Sequence, residues 1–311
     1  MKLSLCARGR LSGIDFEKTM RVYNLCFWIN GDHAYAFIPW SSVSVARIYW
    51  SGEYELYSTN CEEDLVEKLE WALGLREDLS EFYELASRDP LLSEFAKLFK
   101  EWRLRSADLW WSLVVAVCQQ NASFKQGWRA LHELVRVYGK SVYVENAPIL
   151  RPPTPLEVLE DPERLRRAGL GYRAETLLRV AESIVTGVIK YEDINRVSVE
   201  EAESTLRRIK GVGPYTARLA LALSTRRYEL PPVDRWLRRI ISIVYSVSER
   251  EAEKFWIEKW GKWSALASLA VTVALDAEVL SKALVRIKRG EVTPNPRVKP
   301  SPLNMSGFCE E

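Results

Sequence analysis

The sequence predicts an α+β protein that is mainly α: an N-terminal antiparallel sheet followed by an all-helical body. Three observations carry this. The first sixty residues are rich in aromatic and β-branched side chains broken by short turns; beyond them apolar residues recur at helical spacing; and a glycine-proline hairpin joins two helical stretches late in the chain.

Taken in order, "RVYNLCFWINGDHAYAFIPW" holds an Asn30-Gly31-Asp32 turn between strand-like runs, and "VARIYWSGEYELYSTN" repeats the pattern around Ser51-Gly52-Glu53. Periodicity then becomes helical, with Asn60 as a candidate cap and Glu63 reaching back to it. Helices are expected over 62–75, 91–102, 108–120, 123–139, 174–187, 198–209, 215–224, 234–245, 249–260 and, as one long element, 264–287. Ser198 and Glu201 form a capping box for the helix that enters the hairpin. Breaks fall at "NAPILRPPTP", "AGLGYRA" and "RRYELPPVD", and the final "RGEVTPNPRVKPSPLNMSGFCEE" reads as a loose or surface-wrapped tail. The expected division is 1–95 for the sheet domain with trailing helices, 96–287 for the helical core and 288–311 for the tail.

Bulk properties narrow the class. A hydrophobic content of 47% in 311 residues supports a substantial core. Runs such as "LWWSLVVAVC" and "SALASLAVTVAL" fall short of the roughly 18 apolar residues of a membrane helix, and "MKLSLCARGR" is too short in apolar residues for a signal peptide. An intracellular monomer with no membrane contact is expected. Five scattered cysteines without a CxxC indicate neither a disulfide framework nor a zinc or iron-sulfur site, and with only His33 and His132 no protein-built metal site is expected. The net charge is only +2, yet Leu206–Arg239 holds nine basic residues (Arg207, Arg208, Lys210, Arg218, Arg226, Arg227, Arg235, Arg238, Arg239) against Glu229 and Asp234. Such a stripe fits a phosphate-facing surface or a solvated helix face.

The hairpin lies in "IKGVGPYTARLALAL". Gly211 and Gly213 can take backbone angles closed to other residues and let a ligand approach, while Pro214 suits the first turn of a helix. The N–H groups left at that helix start, at the positive end of its dipole, suit an anionic phosphate; a plain αα-corner with glycine caps is the alternative. Small residues in "TARLALAL" would let the flanking helices pack closely. Nineteen residues after Tyr215, behind Pro231 and Pro232, Asp234 opens a basic helix.

Together, "LRRIKGVGPYTARLALAL" and "PPVD" resemble the helix-hairpin-helix, Gly-Pro-rich loop and aspartate signature of the HhH-GPD DNA glycosylase superfamily. "AGLGYRAETLLRVAESI" resembles the segment upstream of the hairpin in the 8-oxoguanine branch, and "LWWSLVVAVCQQNASFKQGWRALHELVRVYG" the family's helix, DNA-inserting loop and helix. The N-terminal sheet is similar to the one that the 8-oxoguanine and type II 3-methyladenine glycosylases add. The resemblance covers about residues 20–285. It implies an enzyme of base excision repair acting on double-stranded DNA, which flips out a damaged base and cuts its bond to the sugar.

The resemblance assigns Asp234 as the catalytic carboxylate, stabilising the sugar cation and orienting or deprotonating water, and helix capping is its alternative role. It assigns Lys210, Gly211, Val212, Gly213, Pro214 and Thr216 to the phosphate-binding hairpin, with a monovalent cation shared by hairpin carbonyls. Gln119, Gln120 and Asn121 match the inserting loop. Tyr215 stands where bifunctional members carry a lysine nucleophile, so no efficient strand cleavage is expected, and with Trp128 it is a candidate wall of the base pocket. Trp110 and Trp111 lie in the right segment, though tryptophans at helical spacing are more often core. The iron-sulfur loop of other branches is absent, because Cys309 is the only cysteine after the hairpin. "WSALASLAVTVAL" has small residues where the 8-oxoguanine branch would place its purine clamp, which argues against an 8-oxoguanine pocket, and an aromatic-lined site without the lysine fits an alkylated or deaminated base. A bifunctional 8-oxoguanine glycosylase and lyase, a noncatalytic damage-binding protein and a helical protein with an acidic partner are the alternatives.

Overall fold

The structure, a computed structural model, describes residues 1–310. Its N-terminal sheet is antiparallel with strand order β1-β5-β4-β3-β2: β1 (Ser4–Arg10), β2 (Ile29–Asn30), β3 (His33–Phe37), β4 (Ser44–Tyr49) and β5 (Glu53–Ser58). The two turns read from sequence close hairpins β2–β3 and β4–β5, and Gly31 (φ +50°) and Gly52 (φ +88°) supply the left-handed angles there. Strand β1, at the sheet edge, carries none of the apolar alternation that marks a strand. "RVYNLCFW" is not a strand: it ends α1 (Phe16–Arg21) and forms a single 3-10 turn at Cys26–Trp28.

Both faces of the central strands are covered, which explains why β3 and β4 carry buried apolar residues on both sides, whereas the edge strand β1 is largely exposed. Ala34, Ile48 and Leu56 pack with Met20 of α1 and with Leu65 and Leu69 of α2 (Leu65–Leu73). Tyr35, Val45 and Tyr57 join the main core around α5. The expected Asn60–Glu63 cap does not form. Helix α2 starts behind Asp64, and the carboxylate that reaches back is that of Glu62, accepting from Ser42 N at 2.8 Å.

The helical body continues with α3 (Ser80–Ser87), α4 (Ser93–Leu98), α5 (Leu109–Cys118), α6 (Phe124–Tyr138), a small β6–β7 hairpin (Ser141–Val144, Ala147–Leu150), α7 (Pro155–Glu160), α8 (Glu163–Arg167), α9 (Arg173–Val185), α10 (Tyr191–Arg196), α11 (Val199–Leu206), α12 (Pro214–Thr225), α13 (Arg235–Tyr245), α14 (Ala252–Trp260), α15 (Ser264–Ala274) and α16 (Leu280–Lys288). The Ser198–Glu201 capping box is present, as are two others, Ser123–Gln126 and Thr154–Glu157. Helices α5 and α12 cross at the centre, where Ala116 and Ala220 are fully buried and let the backbones approach.

Three expectations are corrected. The long helix over 264–287 is two helices, because Asp276 (φ +54°) and Ala277 (φ +51°) turn left-handed between α15 and α16. The buried Asp276 carboxylate fixes that break by accepting from Asn295 N at 3.0 Å and Arg286 at 2.7 Å. The tail is anchored: Tyr23 N–H donates to Pro302 O at 2.8 Å, and Met305 and Phe308 are buried in the main core. Finally, four cysteines form disulfides, Cys6–Cys61 and Cys26–Cys309, across separations of 55 and 283 residues that spacing alone cannot pair. His132 lies beside the second bridge, its Nε2 3.7 Å from Cys309 Sγ, but both thiols of that cluster are spent in the disulfide. No helix among the described residues is long and apolar enough to cross a membrane.

Candidate active site

The hairpin between α11 and α12 is held by Val212 N–H donating to Ile209 O at 3.0 Å. Its two glycines differ. Gly211 has φ +101°, and a β-carbon there would lie 2.3 Å from Thr176 Oγ1 on α9, so this position requires glycine for the fold. Gly213 has an ordinary φ of −92° and caps α12 with open space where its side chain would stand. The N–H groups of both glycines have no partner among the described residues. Gln120, from the end of α5, donates through Nε2 to Gly211 O at 2.6 Å and to Thr216 Oγ1 at 3.0 Å, tying the hairpin to the neighbouring loop.

Asp234 follows the buried Pro231, Pro232 and Val233 and caps α13, accepting from Leu237 N at 2.8 Å. The residue keeps an exposed surface, and its side chain lines a cleft together with Tyr215, Pro232 and Trp236. The local crowding is what the carboxyl senses: desolvation pushes its pKa above the usual carboxylate value, against the Leu237 and Trp236 amides and Arg238, which pull it down.

Behind Asp234 lie two adjoining chambers. The first, about 160 Å³, is walled by Asp234, Tyr215, Pro232, Trp236 and Ser268; the second, about 150 Å³ and called the inner chamber because Asp234 does not line it, by Tyr215, Tyr23, Trp128, Trp111, Leu223 and Arg105. Gln119, Phe124, Tyr215, Leu269 and Thr272 belong to both and mark the passage between them. Burial, reinforced by the Asp234 charge, raises the Tyr215 pKa, which keeps the phenol neutral. Trp128 is 5% exposed and stacks on Tyr23, with ring centroids 5.9 Å apart and planes 10° from parallel. Trp110 is a core residue whose Nε1–H donates to Pro153 O at 2.8 Å. A carboxylate in the first chamber, an aromatic passage and a mostly apolar interior can take a flat ring on one side of the carboxylate and its polar attachment on the other.

Residues 114–264 match the family model described as HhH-GPD superfamily base excision DNA repair protein. Over those residues, just under half of its length, the chain is similar to the HhH-GPD superfamily. It is 25% identical over 232 residues to a probable N-glycosylase/DNA lyase of Methanothermobacter thermautotrophicus, covering 67% of this chain and 74% of the relative. Its fold is similar to that of the 3-methyladenine DNA glycosylase of Archaeoglobus fulgidus (TM-score 0.70, 20% identity, 85% of this chain and 97% of that one). It is likewise similar to the Clostridium acetobutylicum 8-oxoguanine glycosylase/lyase in complex with double-stranded DNA containing cytosine opposite 8-oxoguanine (TM-score 0.66, 21% identity, 85% and 89%).

Within this HhH-GPD framework the three loop residues separate. Gln119 turns inward against Gly127, with its Nε2 buried and unpartnered; Gln120 is committed to the hairpin; Asn121, exposed and left-handed at φ +47°, projects outward and donates to Tyr172 Oη at 3.3 Å. Arg173 holds the loop from below through the carbonyls of Gln120 (2.8 Å) and Asn121 (3.2 Å).

The basic stripe is not one surface. Arg226 is nearly buried against Glu77, Arg218 bridges Glu203 and Glu253, Arg227 is bound to the carbonyls of Ile194 and Val197, and Arg238 and Arg239 pair with Glu253 and Glu249. Arg207 meets Glu203 at 3.5 Å. Arg208, Lys210 and Arg235, next to the hairpin and Asp234, make no ion pair among the described residues and remain for an anion. Sequence reasoning missed Tyr23, Phe124, Trp236 and Arg105. None of them left a local signal: Arg105, for one, stands in "WRLRSADLWW" among Arg103, Ser106 and Asp108 like any surface charge.

Proposed function

We propose that this protein is a DNA glycosylase that extrudes a damaged base from duplex DNA and hydrolyses the bond joining it to the sugar, without efficient strand cleavage. The observation that carries the reading is that Asp234 and Tyr215 wall one chamber that continues past Tyr215 into a second one. With the sugar at Asp234, the base reaches inward past Tyr215. As the bond breaks, positive charge develops on the sugar, and a carboxylate in a crowded site stabilises it more strongly than one in water. The same oxygens orient or deprotonate the attacking water.

The free N–H groups of Gly211 and Gly213, with Lys210, Arg208 and Arg235, offer a phosphate grip, and Asn121 is the residue placed to enter the stack. A monovalent cation at the hairpin would draw on second lone pairs, since Ile209 O and Gly211 O each already accept a hydrogen bond. No lysine lines either chamber, which supports hydrolysis over Schiff-base chemistry. The test is release of free base from duplexes carrying 3-methyladenine, 7-methylguanine, hypoxanthine, uracil, thymine opposite guanine or 8-oxoguanine, with and without hot alkali. Strand breaks that appear only after alkali are expected. Breaks without alkali, together with borohydride trapping of the protein on DNA, would make it a lyase.

A further inference from the structure

The inner chamber has one feature that an apolar ring pocket does not need. Arg105 lines it with a guanidinium that has no carboxylate partner among the described residues. Three hydrogen bonds hold it, all to backbone carbonyls: Nε to Thr19 O (3.0 Å), and Nη2 to Val22 O (3.1 Å) and Tyr23 O (3.0 Å). Nη1 makes no hydrogen bond and is not sealed off by protein. Burial brings the pKa down, to about 10, so the side chain is still a cation at neutral pH. A fixed positive charge with spare N–H donors therefore stands in the wall between the inner chamber, which Asp234 does not line, and a third cavity of about 80 Å³ beside Asp108 and Trp111.

Resting on the glycosylase reading, we propose that Arg105 is a specificity-determining residue. It selects neutral bases that carry an exocyclic carbonyl, the deaminated or oxidised class, and disfavours bases made cationic by ring alkylation. The sugar sits at Asp234 and the base extends through the Tyr215 passage, which brings the edge far from the glycosidic bond toward Arg105. A carbonyl oxygen there accepts a charge-assisted hydrogen bond, while a positively charged ring meets like charge in a poorly solvated space. A site built to hydrogen-bond one group rejects the analogue without it more strongly than an apolar pocket rejects a change of shape.

The experiment compares single-turnover release from duplexes carrying hypoxanthine, unsubstituted purine (hypoxanthine without its oxygen) or 7-methylguanine, by the native protein and by Arg105→Gln. The native protein should release hypoxanthine at least tenfold faster than purine and faster than 7-methylguanine. Arg105→Gln should lose at least tenfold on hypoxanthine and keep or gain rate on 7-methylguanine. Because Arg105 also braces three carbonyls, the native comparison stands by itself if the variant does not fold. Faster release of 7-methylguanine than of hypoxanthine by the native protein would overturn the assignment, as would an equal loss on both in a folded variant. Failure to release any of these bases, or any of the wider panel above, would instead remove the glycosylase reading and this inference with it.

Discussion

Replacing the Asp234 carboxylate by a carboxamide separates the two things this side chain does. As the cap of α13 it accepts from Leu237 N, and asparagine caps helices about as well as aspartate. As a carboxyl whose pKa is raised by desolvation, it holds its proton more tightly in the folded state than in the unfolded chain. Ionised Asp234 consequently opposes folding above its folded pKa, and that penalty fades as pH falls through it. Asp234→Asn should therefore raise Tm at neutral pH, with the gain shrinking in acid, as scanning calorimetry across pH would show; a lower Tm at every pH would mean that the cap is the greater role. The sequence made Asp234 legible through the two prolines before it. Arg105 and Tyr23 were not legible as pocket residues, because what places them there is a long-range fold around α5 and the left-handed turn at Tyr23 (φ +54°).

At the scale of elements, the hairpin was readable because glycine and proline carry backbone geometry in their own chemistry, whereas the division of labour between its glycines was not. Gly211→Ala places a side chain at positive φ against Thr176, a strain of about 1–3 kcal/mol, and should lower Tm measurably. Gly213→Ala meets open space at an ordinary φ, so its stability should change by less than about 0.5 kcal/mol while affinity for undamaged duplex falls. Equal affinity of Gly213→Ala and native protein would show that the phosphate does not approach this turn. The strands and most long helices were visible as periodicity, but helix breaks were harder to read. The left turn between α15 and α16 rests on Asp276 meeting Asn295, nineteen residues away, a contact that no local pattern announces.

For the molecule as a whole, the tail ties its two ends together. The 3-10 turn Met305–Phe308 packs on the main core, and Cys309 is bonded to Cys26, just ahead of β2. Closing so long a loop stabilises by about 2–4 kcal/mol by restricting the unfolded chain. Cys26→Ser should thus lower Tm by several degrees without altering which bases are released, and an unchanged Tm would mean that Met305 and Phe308 hold the tail unaided. Charge behaves in the same long-range way. The basic stripe looked continuous in sequence, but acids from α2–α3, α11 and α14 consume most of it, leaving the cations nearest the hairpin and Asp234. What remains is a small cationic grip beside a carboxylate that lines a chamber large enough for a ring. The most direct test of this account is single-turnover base release and duplex binding measured together for native protein and Asp234→Asn, on whichever duplex of the panel the native protein cuts fastest. The account predicts loss of release by several orders of magnitude with affinity nearly unchanged; release by Asp234→Asn at the native rate would contradict it.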